Sequence, residues 1–201
     1  MLAPRVGIDF DNTIVSYDGL FGLAVHELGL LRPDDAESKE EIRSWLRSIP
    51  GGEGQWQRAQ AKVYGSLIFQ ASEVAGFSEF VRTCRGRDWP VLVVSHKTEF
   101  SEQDRSINLR ESALGWMQAH GFFDKLGFKT DDVYFCATRR EKLDRIRGLG
   151  CTMFVDDLIE VLQDPMFPDG VDRILMSPNR GPQTSLTTVR SWLEVGDIVF
   201  S

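Results

Sequence analysis

The feature that most constrains the fold of this chain is a pair of carboxylates placed directly after a short apolar run near the N-terminus. Val6–Ile8 reads as a buried strand, and Asp9, Asp11 and Thr13 follow it in an Asp-x-Asp-x-Thr pattern. Two carboxylates this close repel each other unless a cation or a reacting group lies between them. The alternative is a solvated turn in which Asp11 and Thr13 cap a helix.

Two later apolar runs also end in polar side chains. Residues 91–94 are followed by Ser95, and residues 153–155 are followed by Asp156. Continuous apolar runs of this length are typical of strands in a parallel sheet that is covered on both faces. Ligands bind beyond the carboxyl ends of such strands. We therefore expect Asp9, Ser95 and Asp156 to converge on one crevice.

A lysine near the start of a later helix adds a cation to this set. Thr138 and Glu141 predict a capping box, which places two arginines and Lys142 near the first helical turn. Cations there oppose the helix dipole, which favours anions at the N-terminus. A bound phosphate facing Lys142 would offset this cost, and the alternative is that the arginines are simply exposed. Lys97 competes with Lys142 for the role of phosphate ligand.

In chain order, the acid pair, the hydroxyl, the lysine and the second acid pair resemble the four motifs of the haloacid dehalogenase superfamily of phosphohydrolases. The resemblance covers most of the chain except the segment between the first two motifs. It implies that Asp9 is the nucleophile and forms an aspartyl-phosphate, a known role for a carboxylate. It makes Asp11 the general acid and base, a residue that the phosphatase branch has and the carbon–halogen branch lacks. Lys142 would neutralise the charge of the nucleophile and the phosphate.

The resemblance also implies phosphate ligands. Ser95 would donate its hydroxyl to a phosphate oxygen, although a serine at a strand end can also cap the next segment. Phe10 and His96 are further candidates for phosphate binding, and an exposed position is the alternative for His96. Thr13 would support the loop through hydrogen bonds.

The implied cofactor is Mg²⁺, a hard ion that takes oxygen ligands and is often held by one or two carboxylates. Its ligands would be Asp9, the backbone carbonyl of Asp11, and Asp156. Asp157 would orient a metal-bound water or cap the following helix, where Glu160 completes a second capping-box pattern.

The alternation of strands and helices predicts a doubly wound, Rossmann-like α/β core of residues 1–16 and 73–201. Residues 17–72 contain three stripes of apolar residues at helical spacing and predict an all-helical insert. In the resembled superfamily, an insert at this position is a cap that closes over the active site. Further strands are expected at residues 133–136 and 174–176, and a last helix on the stripe of Leu186, Val189 and Leu193.

Composition excludes several classes of function. The 201 residues carry a net charge of -7, which argues against a general nucleic-acid binder. No apolar run approaches the roughly 20 residues of a membrane span, and no signal-peptide pattern is present. The three cysteines lack metal-type spacing and are expected to be reduced thiols in a cytoplasmic protein. Nothing in the sequence indicates an oligomeric state.

These features together predict a Mg²⁺-dependent phosphatase that hydrolyses a small phosphomonoester, such as a sugar phosphate or a nucleotide, through an aspartyl-phosphate. A phosphomutase is one alternative. A non-catalytic module that binds a phosphorylated ligand on the same fold is another. That module would predict the loss of Asp9 or Asp11, and both residues are present.

Overall fold

The computed structural model describes residues 3–31, 36, 38–177 and 184–201. By their internal contacts these residues form two compact units. The first takes the described residues up to Ser16, Glu73–Lys97 and those from Gly121 onward, and the second takes Tyr17–Ser72 and Thr98–His120. Residues 98–120, which the sequence analysis placed in the core, are therefore grouped with the insert. Within this unit the indole of Trp116 donates a 3.0 Å hydrogen bond to the carbonyl of Ala71.

The first unit is built on a six-stranded parallel sheet with helices packed against it, which confirms the predicted Rossmann-like α/β fold. Its strand order is β5-β4-β1-β6-β7-β8. The strands of the chain are β1 (Val6–Ile8), β2 (Val15–Ser16), β3 (Ser72–Glu73), β4 (Val91–His96), β5 (Val133–Cys136), β6 (Met153–Asp156), β7 (Asp172–Met176) and β8 (Thr187–Val189). The short strands β2 and β3 lie outside this sheet.

Helices follow most of the strands of the first unit, and they begin where side chains can cap them. Phe77, Phe80, Val81 and Cys84 are all buried on α4 (Phe77–Gly86), as their i, i+3, i+4, i+7 spacing predicts. The hydroxyl of Thr138 accepts the backbone N–H of Glu141 at 3.2 Å, which confirms the predicted start of α6. The helices of this unit are α4 (Phe77–Gly86), α6 (Arg139–Gly148), α7 (Ile159–Leu162) and α8 (Trp192–Phe200), with a 3₁₀ turn at Thr130–Asp132.

The second unit is helical, and the three apolar stripes predicted for the insert lie on its first three helices. Its core includes Phe21 and Trp56, whose rings stack with centroids 5.0 Å apart. Gly51 has a φ of 71°, a left-handed conformation that suits glycine at the break between the second and third helices. The helices are α1 (Leu20–Glu27), α2 (Lys39–Ser48), α3 (Gly52–Tyr64) and α5 (Leu109–Ala119), with a 3₁₀ turn at Ser66–Gln70.

The C-terminal region differs from the sequence prediction. The expected helix through Leu186, Val189 and Leu193 is wrong, because Thr187–Val189 forms the edge strand β8 beside β7. Three consecutive β-branched residues favour an extended strand over a helix. The final helix begins only at Trp192, where the Ser191 hydroxyl accepts the Glu194 N–H, and Leu193 is 69% exposed.

All three cysteines are buried free thiols. Within the described ranges, no helix has both the length and the apolar character that crossing a membrane requires.

Candidate active site

The register of the sheet brings two of the predicted carboxylates together. Strands β1 and β6 are parallel neighbours, with Ile8 opposite Val155, so Asp9 and Asp156 come next on each strand. The ladder continues one step further, because the N–H of Asp9 donates to the carbonyl of Val155 at 2.9 Å. Both aspartates are buried, with exposures of 5% and 0%.

Lys142 lies between these two carboxylates. Its ammonium is 2.6 Å from Oδ1 of Asp9 and 2.6 Å from Oδ2 of Asp156. The lysine is 1% exposed and sits in the first turn of α6, where its N–H donates to the Thr138 carbonyl. A buried cation is costly unless it is paired, and here one ammonium is shared by two buried anions.

Burial and charge shift the pKa values of these groups. Burial is the main cause that raises the pKa of Asp9 to about 7; Lys142 lowers it, and the negative charges of Asp156 and Asp11 raise it further. Burial alone would lower the pKa of Lys142, but the attraction of Asp156 and Asp9 outweighs it and raises the pKa above its ordinary value. The surroundings therefore favour the charged form of Lys142, whereas burial opposes the charged form of Asp9.

A third carboxylate completes a group that fits a metal ion. One oxygen from each of Asp9, Asp156 and Asp157 lies within 4.8 Å of the others. Asp157 also accepts a 3.1 Å hydrogen bond from the side-chain amide of Asn12. Three carboxylate oxygens at this spacing are suited to a hard divalent cation such as Mg²⁺. The carboxylate of Asp11 is not part of this group.

The turn after β6 is closed by Asp156, whereas the sequence predicts that Asp157 and Glu160 cap the following helix. Oδ1 of Asp156 accepts the N–H of Leu158 at 2.9 Å. The N-cap of α7 is Leu158, and the expected capping box of Asp157 and Glu160 is absent at this described helix. Asp157 is instead placed beside Asn12 and the other acids of the site.

The loop after β1 folds back on itself and fixes the first motif. Asn12 has a φ of 56°, and the carbonyl of Phe10 accepts the N–H groups of Ile14 and Val15. The ring of Phe10 is fully buried and packs edge-on against Phe135, with centroids 6.4 Å apart. These hydrogen bonds and the buried ring hold the backbone of Phe10, the residue between Asp9 and Asp11, in place.

Thr13 supports this loop through its backbone. Its carbonyl accepts a 2.9 Å hydrogen bond from the indole of Trp192, at the start of α8. Its hydroxyl is buried and has no hydrogen-bond partner among the described residues. Trp192 was not identified from the sequence, and no local pattern connects two residues so far apart in the chain.

Asp11 is paired with a lysine that the sequence analysis treated only as a rival for the phosphate. The ammonium of Lys97 lies 2.9 Å from Oδ2 and 3.1 Å from Oδ1 of Asp11. Lys97 is 3% exposed, whereas the Asp11 side chain is 21% exposed. The two lysines therefore pair with different carboxylates: Lys97 with Asp11, and Lys142 with Asp9 and Asp156.

Ser95 and His96 end strand β4 in different environments. Ser95 is buried, with 1% exposure, whereas His96 is exposed. Nε2 of His96 lies 3.0 Å from the carbonyl of Ala137. Their roles in phosphate binding stay predictions.

The sequence matches no protein-family model and no curated protein sequence. Solved structures do match. The HAD-hydrolase YfnB from Bacillus subtilis, solved with bound magnesium, aligns over 99% of both chains with a TM-score of 0.64 and 13% identity. A haloacid dehalogenase-like hydrolase from Streptococcus pneumoniae aligns over 98% of both chains with a TM-score of 0.62 and 13% identity.

A third structure adds a different ligand. A HAD family hydrolase from Deinococcus radiodurans R1, solved with bound phosphate and sodium, has a TM-score of 0.59 and 11% identity. The alignment covers 98% of this chain and 96% of that chain. Such low identities establish the fold alone. The chain has the fold of the haloacid dehalogenase superfamily, as its motifs predicted.

Proposed function

We propose that this haloacid dehalogenase-fold chain is a Mg²⁺-dependent phosphatase that hydrolyses a small phosphomonoester through an aspartyl-phosphate. One observation carries the proposal: the ammonium of Lys142 is 2.6 Å from the buried Asp9, the first carboxylate of the signature motif. A purely structural site would not need four carboxylates gathered at the carboxyl end of a parallel sheet.

The charges of the site fit a phosphate dianion. Asp9, Asp11, Asp156 and Asp157 can carry four negative charges, and two buried lysines offset part of them. A bound Mg²⁺ would supply further positive charge for the phosphate oxygens, with Asp9, Asp156 and Asp157 as the candidate carboxylate ligands. An anionic nucleophile can then approach an anionic substrate without prohibitive repulsion.

Asp9 and Asp11 have separate roles in the proposed reaction. A carboxylate oxygen of Asp9 bonds to phosphorus while the bond from phosphorus to the leaving oxygen breaks. Asp11, which is partly exposed, gives its proton to that leaving oxygen. Asp11 then takes a proton from a water molecule as the water attacks phosphorus, and this releases inorganic phosphate and restores Asp9.

The proposed substrate class is small phosphomonoesters, with sugar phosphates and nucleotides as the leading examples. The net charge of -7 disfavours a polynucleotide. The proposed setting is the cytoplasm, where the three buried thiols would stay reduced. The phosphate and magnesium named for two of the matching structures are in keeping with this chemistry.

The test is phosphate release from a broad panel of phosphomonoesters, with Mg²⁺ and with a chelator. We expect turnover only with the metal, and none in Asp9→Asn, because an amide is a poor nucleophile. Acid-quenched wild-type enzyme should show an added phosphoryl mass that Asp9→Asn lacks. Full activity in Asp9→Asn or in chelator would refute the mechanism.

The same panel separates the rival readings. A binding module would bind phosphorylated ligands without releasing phosphate. A phosphomutase would return an isomeric phosphate ester instead of inorganic phosphate.

A further inference from the structure

Lys97 lies outside the four motif positions, yet it contacts the proposed acid and base of the reaction. Its ammonium is 2.9 Å and 3.1 Å from the two carboxylate oxygens of Asp11. The contact with both oxygens constrains the carboxylate more than a single hydrogen bond would. Because Lys97 is 3% exposed and Asp11 is 21% exposed at its side chain, the ammonium holds the carboxylate from its buried side.

Lys97 is itself held in place at both ends. Its N–H donates to the carbonyl of Cys136 at 2.8 Å, directly after β4, so its backbone is tied to the neighbouring strand β5. Its ammonium lies 5.6 Å from the centroid of the fully buried Phe10 ring. A long side chain fixed at its backbone and beside its ammonium can set the position of the group that it binds.

Asp11 lies in the turn that passes through the left-handed Asn12. A short carboxylate in a turn can adopt more than one staggered rotamer. A proton carrier acts only when its oxygen comes within about 2.6–3.2 Å of the reacting atom. We propose that Lys97 is a positioning residue that holds the carboxylate of Asp11 where it exchanges a proton with the leaving group.

This inference rests on the proposed function. It assigns different roles to the two buried lysines, Lys97 and Lys142. Lys142 contacts Asp9 and Asp156, so its loss should slow the reaction of every substrate. Lys97 acts through Asp11, so its loss should slow chiefly those substrates whose leaving oxygen must be protonated. An activated aryl phosphate such as p-nitrophenyl phosphate needs little protonation and should be less affected.

The kinetic test uses Lys97→Met, which keeps an unbranched side chain only one atom shorter and removes its charge. We expect kcat for an alkyl phosphate to fall about 10- to 100-fold, part of the typical acid–base contribution, with KM changed little. The loss with p-nitrophenyl phosphate should be several-fold smaller. Lys125→Met, at an exposed lysine of the same unit, is the matched control and should behave as wild type.

A double-mutant cycle shows whether Lys97 acts through Asp11. In an Asp11→Asn background, Lys97→Met should cause no further loss with the alkyl phosphate, because the proton carrier is already absent. Additive losses, or equal losses with alkyl and aryl phosphates, would overturn the proposal. Thermal unfolding of each variant checks that the fold is retained.

A structural readout keeps the inference separate from the proposed function. Crystal structures of the wild type and of Lys97→Met should show the Asp11 carboxylate displaced or in alternative rotamers in the variant. An unchanged carboxylate would overturn the inference even if the enzyme is a phosphatase. If no phosphomonoester is hydrolysed, the proposed function fails, and this comparison still decides whether Lys97 positions Asp11.

Discussion

Lys142 and Asp156 form a buried ion pair between a helix and a strand, with the ammonium 2.6 Å from Oδ2 of the carboxylate. Their side chains are 1% and 0% exposed. The same ammonium is equally close to Asp9, so one cation holds two buried anions. This arrangement links the stability of the protein to the chemistry of the site.

Removal of the Lys142 ammonium should lower both the stability of the protein and its turnover. We expect Lys142→Met to abolish measurable turnover and to lower the free energy of unfolding by about 3–5 kcal/mol at neutral pH, since two buried carboxylates lose their partner. Arg140→Met is the control, because the Arg140 side chain is 75% exposed, and it should change stability by less than about 0.5 kcal/mol. Urea denaturation and phosphate release measure both effects, and equal stability losses in the two variants would contradict the expectation.

Asp11→Asn should separate the two chemical steps of the proposed reaction. Asp9 can still attack, but no carboxyl group is left to protonate the leaving oxygen or to activate water. General acid–base help is typically worth about 10²–10⁴-fold, so turnover of alkyl phosphates should fall by that order. With p-nitrophenyl phosphate the first step should suffer less, and phospho-enzyme should accumulate. Intact-protein mass spectrometry after acid quench detects it, and its absence under these conditions would count against Asp11 as the base.

Mg²⁺ binding should depend on pH through Asp9. Burial raises the pKa of Asp9 to about 7, so the metal-free carboxyl is ionised above that pH and protonated below it. Because the metal binds the ionised form, affinity should be lost as the pH falls through 7, by about tenfold per pH unit. Calorimetry in buffers of different ionisation enthalpy should find close to one proton released at about pH 6 and little at about pH 8. The same release in Asp9→Asn would assign the proton to another group.

Trp192→Phe should loosen the loop that carries Asp11. The substitution keeps an aromatic ring but removes the N–H that binds the carbonyl of Thr13 at 2.9 Å. A buried carbonyl left without its partner costs about 1–3 kcal/mol, and kcat should also fall. Trp89→Phe, at a partly buried tryptophan of the same unit, is the control. Equal unfolding free energies for the two variants would mean that this hydrogen bond contributes little.

Gly7→Ala should disturb the core beneath the site. A Cβ at Gly7 would lie 2.5 Å from Cδ2 of Phe154 and 2.9 Å from Sγ of Cys151. Overpacking of this kind costs about 1–3 kcal/mol, and the Phe154 ring lies 5.4 Å from the ammonium of Lys142. Gly54→Ala, where nothing lies within 4 Å, should instead stabilise α3 by about 0.4–1 kcal/mol. Thermal unfolding decides, and a Gly7→Ala protein as stable as wild type would show that Phe154 can move freely.

The central strands β1, β4 and β6 could be predicted because they are largely buried and read as continuous apolar runs. The edge strand β8 could not, since Thr187 and Thr188 are exposed and the neighbouring apolar residues imitate helical spacing. Helix α5 has a local signal in the sequence, although the sequence analysis above gives no helix at these residues. Asn108 caps it, and Ala113, Trp116 and Met117 are its buried residues.

Only the part of the site that local sequence motifs specify could be predicted. Asp9 and Asp156 follow apolar strands, and strand register alone brings them together. The pairing of Lys97 with Asp11 depends on the turn through Asn12, and the bond from Trp192 to Thr13 depends on the docking of the last helix. Such contacts join distant parts of the chain through tertiary packing, which no local spacing encodes.

Strand β1 lies in the middle of the sheet although it precedes every other strand in the chain. Its two neighbours are residues 91–93 of β4 and residues 153–155 of β6. During synthesis Asp9 and Asp11 therefore leave the ribosome long before the strands and the lysines that enclose them. Pairing across such long sequence separations is slow to form. Asp9 and Asp11, the first residues of the candidate site to be translated, can thus reach their partners only after Asp156 has emerged, so a shorter chain holds these two acids in an incomplete site.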